Sequence, residues 1–185
     1  RELPVDIADK LDRGHGRAFD ADLGRLEPVE PLAADKKIAF KAEVPPDLPS
    51  GRGDERRLTQ VLINLVGNAI KFTEFGGIRV VVRLQPSTPD EPSRLAFEIH
   101  DSGIGISGPQ LKTLFAPFVQ GDGSATRTSG GTGLGLAICD RIVVEHGGSI
   151  SVRNEPGAGA AFRIVFPRLA SDDTEVIRRK DVAGP

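Results

Sequence analysis

Three polar side chains recur along one apolar, helix-patterned segment. Asn64, Asn68 and Lys71 stand at i, i+4 and i+7, which points them within about 60° of one another. Taken alone the stripe reads as a solvated face, yet solvated helix faces use Glu, Lys and Arg, and asparagine is a poor helix former. A nucleotide site supplies a reason for it. An amide oxygen can ligate a hard cation such as Mg2+ that bridges phosphate oxygens, and a lysine one turn on can neutralise phosphate charge. Further along, Asp101-Ser102-Gly103-Ile104-Gly105-Ile106 follows a strand pattern directly. Asp-Ser-Gly is common turn chemistry. As a site, it sets a carboxylate at a strand end, with glycines that let a ligand approach the backbone. Asp101 could then accept a hydrogen bond from the exocyclic amine of adenine, favouring ATP over GTP.

A third candidate is Gly130-Gly131-Thr132-Gly133-Leu134-Gly135-Leu136-Ala137-Ile138, a glycine cluster that opens a helical pattern. Free N–H groups and the local dipole at a helix start favour phosphate oxygens; the alternative is a flexible hinge. The cluster is not a dinucleotide fingerprint, whose G-x-G-x-x-G must follow a buried strand, and no Walker G-x-x-x-x-G-K-[ST] occurs. Between the glycine clusters, Phe115-Ala116-Pro117-Phe118 precedes the polar run from Gln120 to Gly131. The phenylalanines read as core, or as the anchor of a lid that orders over nucleotide. Arg127 in that lid is a candidate γ-phosphate contact.

The elements that must position these groups follow from periodicity. Lys37 to Val44 reads as a strand closed by Pro45-Pro46, and Asp54 offers an N-cap to a helix from Glu55 to Lys71. On that helix Leu58, Leu62, Leu65, Val66, Ala69 and Ile70 form a buried arc opposite Arg57, Gln60, Asn64, Asn68 and Lys71. Ile78–Leu84 and Leu95–His100 read as a hairpin, Gln110–Phe115 as a short helix, and Leu134–His146 as a longer one. Ser149–Arg153 and Ala161–Phe166 form a second hairpin. This order predicts an α+β two-layer sandwich, helices on one face of a mixed, largely antiparallel sheet.

Composition narrows the function classes. The 185 residues carry a formal net charge of −2 and a pI near 6.0, which gives no basic surface for nucleic acid. A single cysteine, Cys139, allows no disulfide framework and reads as core, in keeping with a cytoplasmic setting. No apolar run approaches the roughly 20 residues that span a bilayer. The chain begins at Arg1 and lacks methionine, so a fragment of a longer protein is expected. His15 has no partner pattern; His100 and Asp101 fall on opposite faces of their strand; His146 reads as a charged C-terminal helix cap.

The signals gain weight from their order: Asn-x3-Asn-x2-Lys, Asp-x-Gly-x-Gly, Phe-x-Pro-Phe, then Gly-x-Gly-x-Gly. This resembles the N, G1, F and G2 boxes of sensor histidine kinases, and extends to the whole run from Gln60 to Thr73 and to Gly133 to Ile138. The resemblance implies the Bergerat ATP-binding fold shared with gyrase-type ATPases and heat-shock chaperones, with a mobile lid. It implies Asn68 as the Mg2+ ligand, Asn64 and Lys71 as catalytic groups at the phosphates, and Asp101 as the adenine reader. Gly103, Gly105, Gly131, Gly133 and Gly135 would shape the pocket, with Ile106, Phe118, Arg127, Thr132, Leu134 and Leu136 lining the nucleotide.

The implied organisation is a linker or remnant of a dimerisation region over 1–31, the catalytic ATP-binding domain over 32–169, and a charged, disordered tail over 170–185. The implied partners are ATP, a dimerisation and histidine-phosphotransfer domain of the same protein, and a response-regulator receiver domain. The parent would be a homodimer, membrane-anchored or not. Hydrolysing relatives carry glutamate where Asn64 stands, and asparagine cannot serve as their general base. The phospho-accepting His-Glu motif is missing, so this piece alone should not autophosphorylate. Ala160 stands where the family often has a threonine. The alternatives are an ATP-hydrolysing relative of the same fold and a catalytically silent ATP-binding scaffold.

Overall fold

The computed structural model describes residues 18–19, 29–46, 48, 51–52, 54–88, 93–117, 134–155 and 159–167. Two short strands, β1 (Ala18–Phe19) and β3 (Gly51–Arg52), pair antiparallel outside the main sheet. The main sheet has five strands: β2 (Ala39–Glu43), β4 (Gly77–Gln85), β5 (Arg94–Asp101), β6 (Ser149–Asn154) and β7 (Ala160–Pro167). Their spatial order is β2-β4-β5-β7-β6, with β2 parallel to β4 and every other pair antiparallel. Both expected hairpins form, and the sheet is mixed as expected.

Helix α1 (Glu30–Asp35) falls partly where the sequence reads as linker. Its six residues are too few to display a helical period, and Pro31 in its first turn is compatible with a helix start. It ends in a Schellman turn: the Lys37 N–H donates to the Ala34 carbonyl at 2.9 Å and the Ile38 N–H to the Ala33 carbonyl at 3.1 Å. Lys37 consequently adopts φ 59°, a conformation that favours glycine.

Helix α2 (Glu55–Phe72) starts where Asp54 predicts, because its carboxylate accepts the N–H groups of Arg56 and Arg57 at 3.0 and 3.2 Å. Leu58, Leu62, Leu65, Val66, Ala69 and Ile70 are buried as expected, and Val61 joins them. At its far end the Lys36 ammonium donates to the carbonyls of Ile70, Lys71 and Thr73 at 2.9, 2.9 and 3.2 Å. A cation there satisfies carbonyls that lack helical partners and opposes the negative end of the helix dipole.

Helix α3 (Gly108–Thr113) opens with a Ser107/Gln110 capping box, and α4 (Gly135–Glu145) packs on α2. The inward residues Val80, Val82, Phe97, Ile99, Phe162 and Ile164 meet the apolar faces of α2 and α4 in one core. The opposite sheet face carries Arg79, Arg83, Glu98, His100 and Arg163. There His100 sits 3.0 Å from Glu155 and apart from Asp101, as strand alternation requires.

His146 does terminate α4, but not through charge. Its Nδ1 faces the Ile142 carbonyl at 2.7 Å, while Nε2 accepts the Asp54 N–H at 3.0 Å. Both bonds together need the neutral ring with its proton on Nδ1. The end of α4 is thereby tied to the start of α2.

Candidate functional site

Asp101 ends the central strand β5 and is 8% exposed. Its Oδ1 accepts the Gly103 N–H at 2.9 Å and the Ala160 N–H at 3.3 Å. Oδ2 has no hydrogen-bond partner among the described residues. Burial pushes the carboxyl pKa up, the N–H groups of Gly103 and Ala160 pull it back, and the Glu155 charge adds to the rise; the net shift is upward.

The backbone around this carboxylate leaves no room for side chains. A Cβ at Gly103 would lie 2.5 Å from the Phe72 carbonyl oxygen and 2.8 Å from Asp101 Oδ1. One at Gly159, where φ is +78°, would collide with the Asp101 carbonyl and lie 2.5 Å from the Gly103 nitrogen. Gly105 adopts φ +71°, and its Cβ would stand 3.3 Å from Asn154 Oδ1. The loop from Ser102 to Ile106 is therefore pressed against the end of α2 on one side and the β6–β7 hairpin on the other.

Two side chains that sequence reasoning passed over hold this loop. Ser102 Oγ donates to the Phe75 carbonyl and accepts the Gly77 N–H, each at 2.9 Å. Asn154, the last residue of β6, accepts the Ile106 N–H at 2.9 Å and donates to the Ile106 carbonyl at 2.6 Å. Ile106 itself is partly buried against the core. Its backbone pairing with residue 154 crosses 48 positions of chain, which no local pattern reveals.

The stripe on α2 is half-buried at Asn64, Asn68 and Lys71. The Asn64 amide donates to Cys139 Sγ at 3.7 Å and accepts Gln60 Nε2 at 3.0 Å. Cys139 on α4 is fully buried; burial pushes its thiol pKa up while the Asn64 hydrogen bond opposes the shift. The Asn68 side chain has no hydrogen-bond partner among the described residues. Lys71 places its ammonium 5.2 Å from the centre of the Phe72 ring. Because the Phe72 carbonyl backs Gly103, the lysine end of the stripe abuts the Asp101 loop.

Leu134, Gly135 and Leu136 are half-buried at the start of α4, where Leu136 packs on the core. A Cβ at Gly135 would meet nothing within 4 Å among the described residues, so the crowding that demands glycine at 103 is absent there. Phe118, Arg127, Gly131, Thr132 and Gly133 lie outside the described residues.

A family model described as "Histidine kinase-, DNA gyrase B-, and HSP90-like ATPase" matches residues 53–170. The peroxide stress-activated histidine kinase mak2 of Schizosaccharomyces pombe is 40% identical over 141 residues, 74% of this chain and 6% of that protein. Full-length ShkA, solved in complex with AMPPNP, superposes with a TM-score of 0.65 at 33% identity, covering 91% of this chain and 32% of that one. The nucleotide-free catalytic domain of the histidine kinase ThkA gives a TM-score of 0.65 at 27% identity, covering 82% of this chain and 97% of that one. The chain spans only a small part of its curated relatives, from 6% of mak2 to 20% of the sensor kinase/phosphatase LuxQ of Vibrio harveyi. With the buried carboxylate at the end of β5, the glycine-walled loop and the asparagine stripe in place, this chain belongs to the histidine kinase-, DNA gyrase B- and HSP90-like ATPases, as a histidine kinase catalytic ATP-binding domain.

Proposed function

We propose that this domain binds Mg-ATP and passes the γ-phosphoryl group to a histidine on a separate dimerisation domain. The observation that carries the reading is the half-used Asp101 carboxylate. One oxygen is committed to Gly103 and Ala160, and the other is left to accept the exocyclic amine of adenine. The AMPPNP held by the similar ShkA supports an adenine nucleotide.

Asn68 fits a magnesium ligand. Its amide offers a hard oxygen with no competing partner among the described residues, and Mg2+ commonly takes one or two protein oxygens alongside phosphate and water. Bound magnesium would neutralise charge on the β- and γ-phosphates. Lys71 adds a positive charge at the same end of α2, Arg127 is the proposed γ-phosphate contact from the lid, and Thr132 and Gly133 to Leu136 bring N–H groups to the phosphates. Phe118 is the proposed anchor of that lid.

Asn64 is held by Gln60 and Cys139, which fixes its amide without giving it a proton to take. It has no base with which to activate water. The nucleophile is instead an imidazole nitrogen of the acceptor histidine. An N–P bond forms, the bond from the γ-phosphorus to the β–γ bridging oxygen breaks, ADP leaves, and the imidazole releases its N–H proton.

We assign the linker or dimerisation remnant to residues 1–31, the catalytic domain to 32–169 and the tail to 170–185. The partners are the dimerisation domain of a homodimeric parent and a downstream receiver domain, in the cytoplasm. No helix among the described residues is long and apolar enough to cross a membrane.

The test is incubation of the chain with Mg-ATP labelled on the γ-phosphate and a histidine-bearing dimerisation domain supplied in trans. The expected product is acid-labile, alkali-stable label on that domain with little free phosphate. Label appearing as free phosphate would identify a hydrolase. Nucleotide bound but never transferred would identify a silent scaffold.

A further inference from the structure

We infer that Asn154 is a positioning residue for base selectivity: by bracing the backbone of Ile106 it holds the Asp101 loop in the one geometry that presents the carboxylate to adenine. The inference rests on the adenine-reading role of Asp101 proposed above and adds a residue that does not touch the nucleotide.

The loop is closed into a ring of interactions. Asp101 Oδ1 takes the N–H of Gly103 at 2.9 Å, and the chain runs through Gly105 at φ +71° to Ile106. Asn154 grips Ile106 through both its N–H and its carbonyl, at 2.9 and 2.6 Å. Asn154 pairs with Ala160 across the β6–β7 ladder, and the Ala160 N–H returns to Asp101 Oδ1 at 3.3 Å. Every link around Asp101 is thus a hydrogen bond or a short stretch of chain.

The brace is not a fold requirement in the manner of a core residue. Asn154 is exposed at the end of a strand, and asparagine is depleted in strands. Ser102 already anchors the other end of the loop to Phe75 and Gly77. What Asn154 adds is the position of Ile106, directly before the Ser107 cap of α3. Without it, Gly103 to Gly105 contains two residues free to rotate, and the Gly103 N–H that orients the carboxylate loses its fixed direction.

The experiment uses the full 185-residue chain, wild type, Asn154→Ala and Asn154→Asp, and measures displacement of a fluorescent nucleotide by Mg-ATP and by Mg-GTP. Asn154→Asp keeps the shape and the acceptor for the Ile106 N–H but sets an oxygen against the Ile106 carbonyl. Two net hydrogen bonds correspond to about a tenfold loss. Asn154→Ala loses both bonds and Asn154→Asp one bond plus an oxygen–oxygen repulsion, so both variants should bind ATP about tenfold more weakly while GTP binding changes by less than about twofold; the thermal midpoint should fall by only about a few degrees, with the chain still folded. An equal loss for both nucleotides, or an unchanged ATP affinity, would overturn the inference and leave the Asp101 reading intact. A wild type that does not prefer ATP would remove the Asp101 reading itself, and is recognised before any variant is compared.

Discussion

Asp101 Oδ1 accepts the N–H of Gly103 at 2.9 Å, so the same carboxylate that faces the candidate base site also folds the loop that surrounds it. The proposed base recognition and the observed loop geometry therefore meet at a single side chain, with consequences that can be measured without any partner domain.

The first concerns pH. Burial raises the folded-state pKa of Asp101 above its unfolded value. A carboxyl shifted in that direction contributes stability that is fully present below the unfolded pKa of about 3.9, and that is lost as pH rises through the higher folded value. Nucleotide-free Asp101→Asn keeps an Oδ1 acceptor for Gly103 and Ala160 and carries no charge. Its thermal midpoint should exceed that of the wild type at neutral pH, with the gap closing toward pH 4. Thermal melts across that range decide; a gap that widens on acidification contradicts the assignment.

Gly103 and Gly135 should differ in their tolerance of alanine. At 103 the new methyl meets the Phe72 carbonyl and Asp101, neither of which is a flexible chain end, and such overpacking costs about 1–3 kcal/mol. At 135 nothing lies within 4 Å among the described residues, and the change should stay within about 0.5 kcal/mol. Urea unfolding of the two variants separates them.

Lys37 pays for the Schellman turn with a left-handed backbone at φ 59°. Lys37→Gly relieves a conformation that costs an L-residue about 1–2 kcal/mol, offset in part by the greater freedom of glycine in the unfolded chain. A net gain of roughly 0.5–1 kcal/mol is expected in denaturant unfolding.

His146→Ala removes the acceptor of the Asp54 N–H and the partner of the Ile142 carbonyl. The loss should be about 1–3 kcal/mol. ATP affinity should hold, since the bond joins the ends of α2 and α4 away from Asp101. A stability equal to wild type would mean that the helices are not tied at this point.

The parts of this fold legible in the sequence are those whose signal is local. Helix α2 announces itself through a 3.6-residue period and the Asp54 cap, and both hairpins through alternation between turn residues. Val61 escaped because the period describes one buried face, whereas α4 covers a second side of the helix and brings Cys139 against the Val61 carbonyl. The parallel pairing of β2 with β4 escaped because a parallel partner is set by the intervening helix, not by any feature of the strand. Among the candidate site residues, Asn64, Asn68, Lys71 and Asp101 are proposed from type and spacing alone. Asn154 and Gly159 were not legible in the sequence, since each acts on a loop some fifty residues away that only the folded sheet brings near. Lys36 was hidden for the same reason: its three acceptors at the end of α2 are remote in sequence.

An adenine-reading carboxylate at Asp101 is tested most directly by calorimetric titration of wild type and Asp101→Asn with Mg-ATP and Mg-GTP. Wild type should bind ATP in preference to GTP. In the variant, an amide N–H faces the adenine amine, and ATP binding should fall by at least about tenfold, one lost hydrogen bond plus an unpaired donor, while the fold persists. Equal ATP affinity in the two proteins, or no preference for ATP in the wild type, would contradict that role.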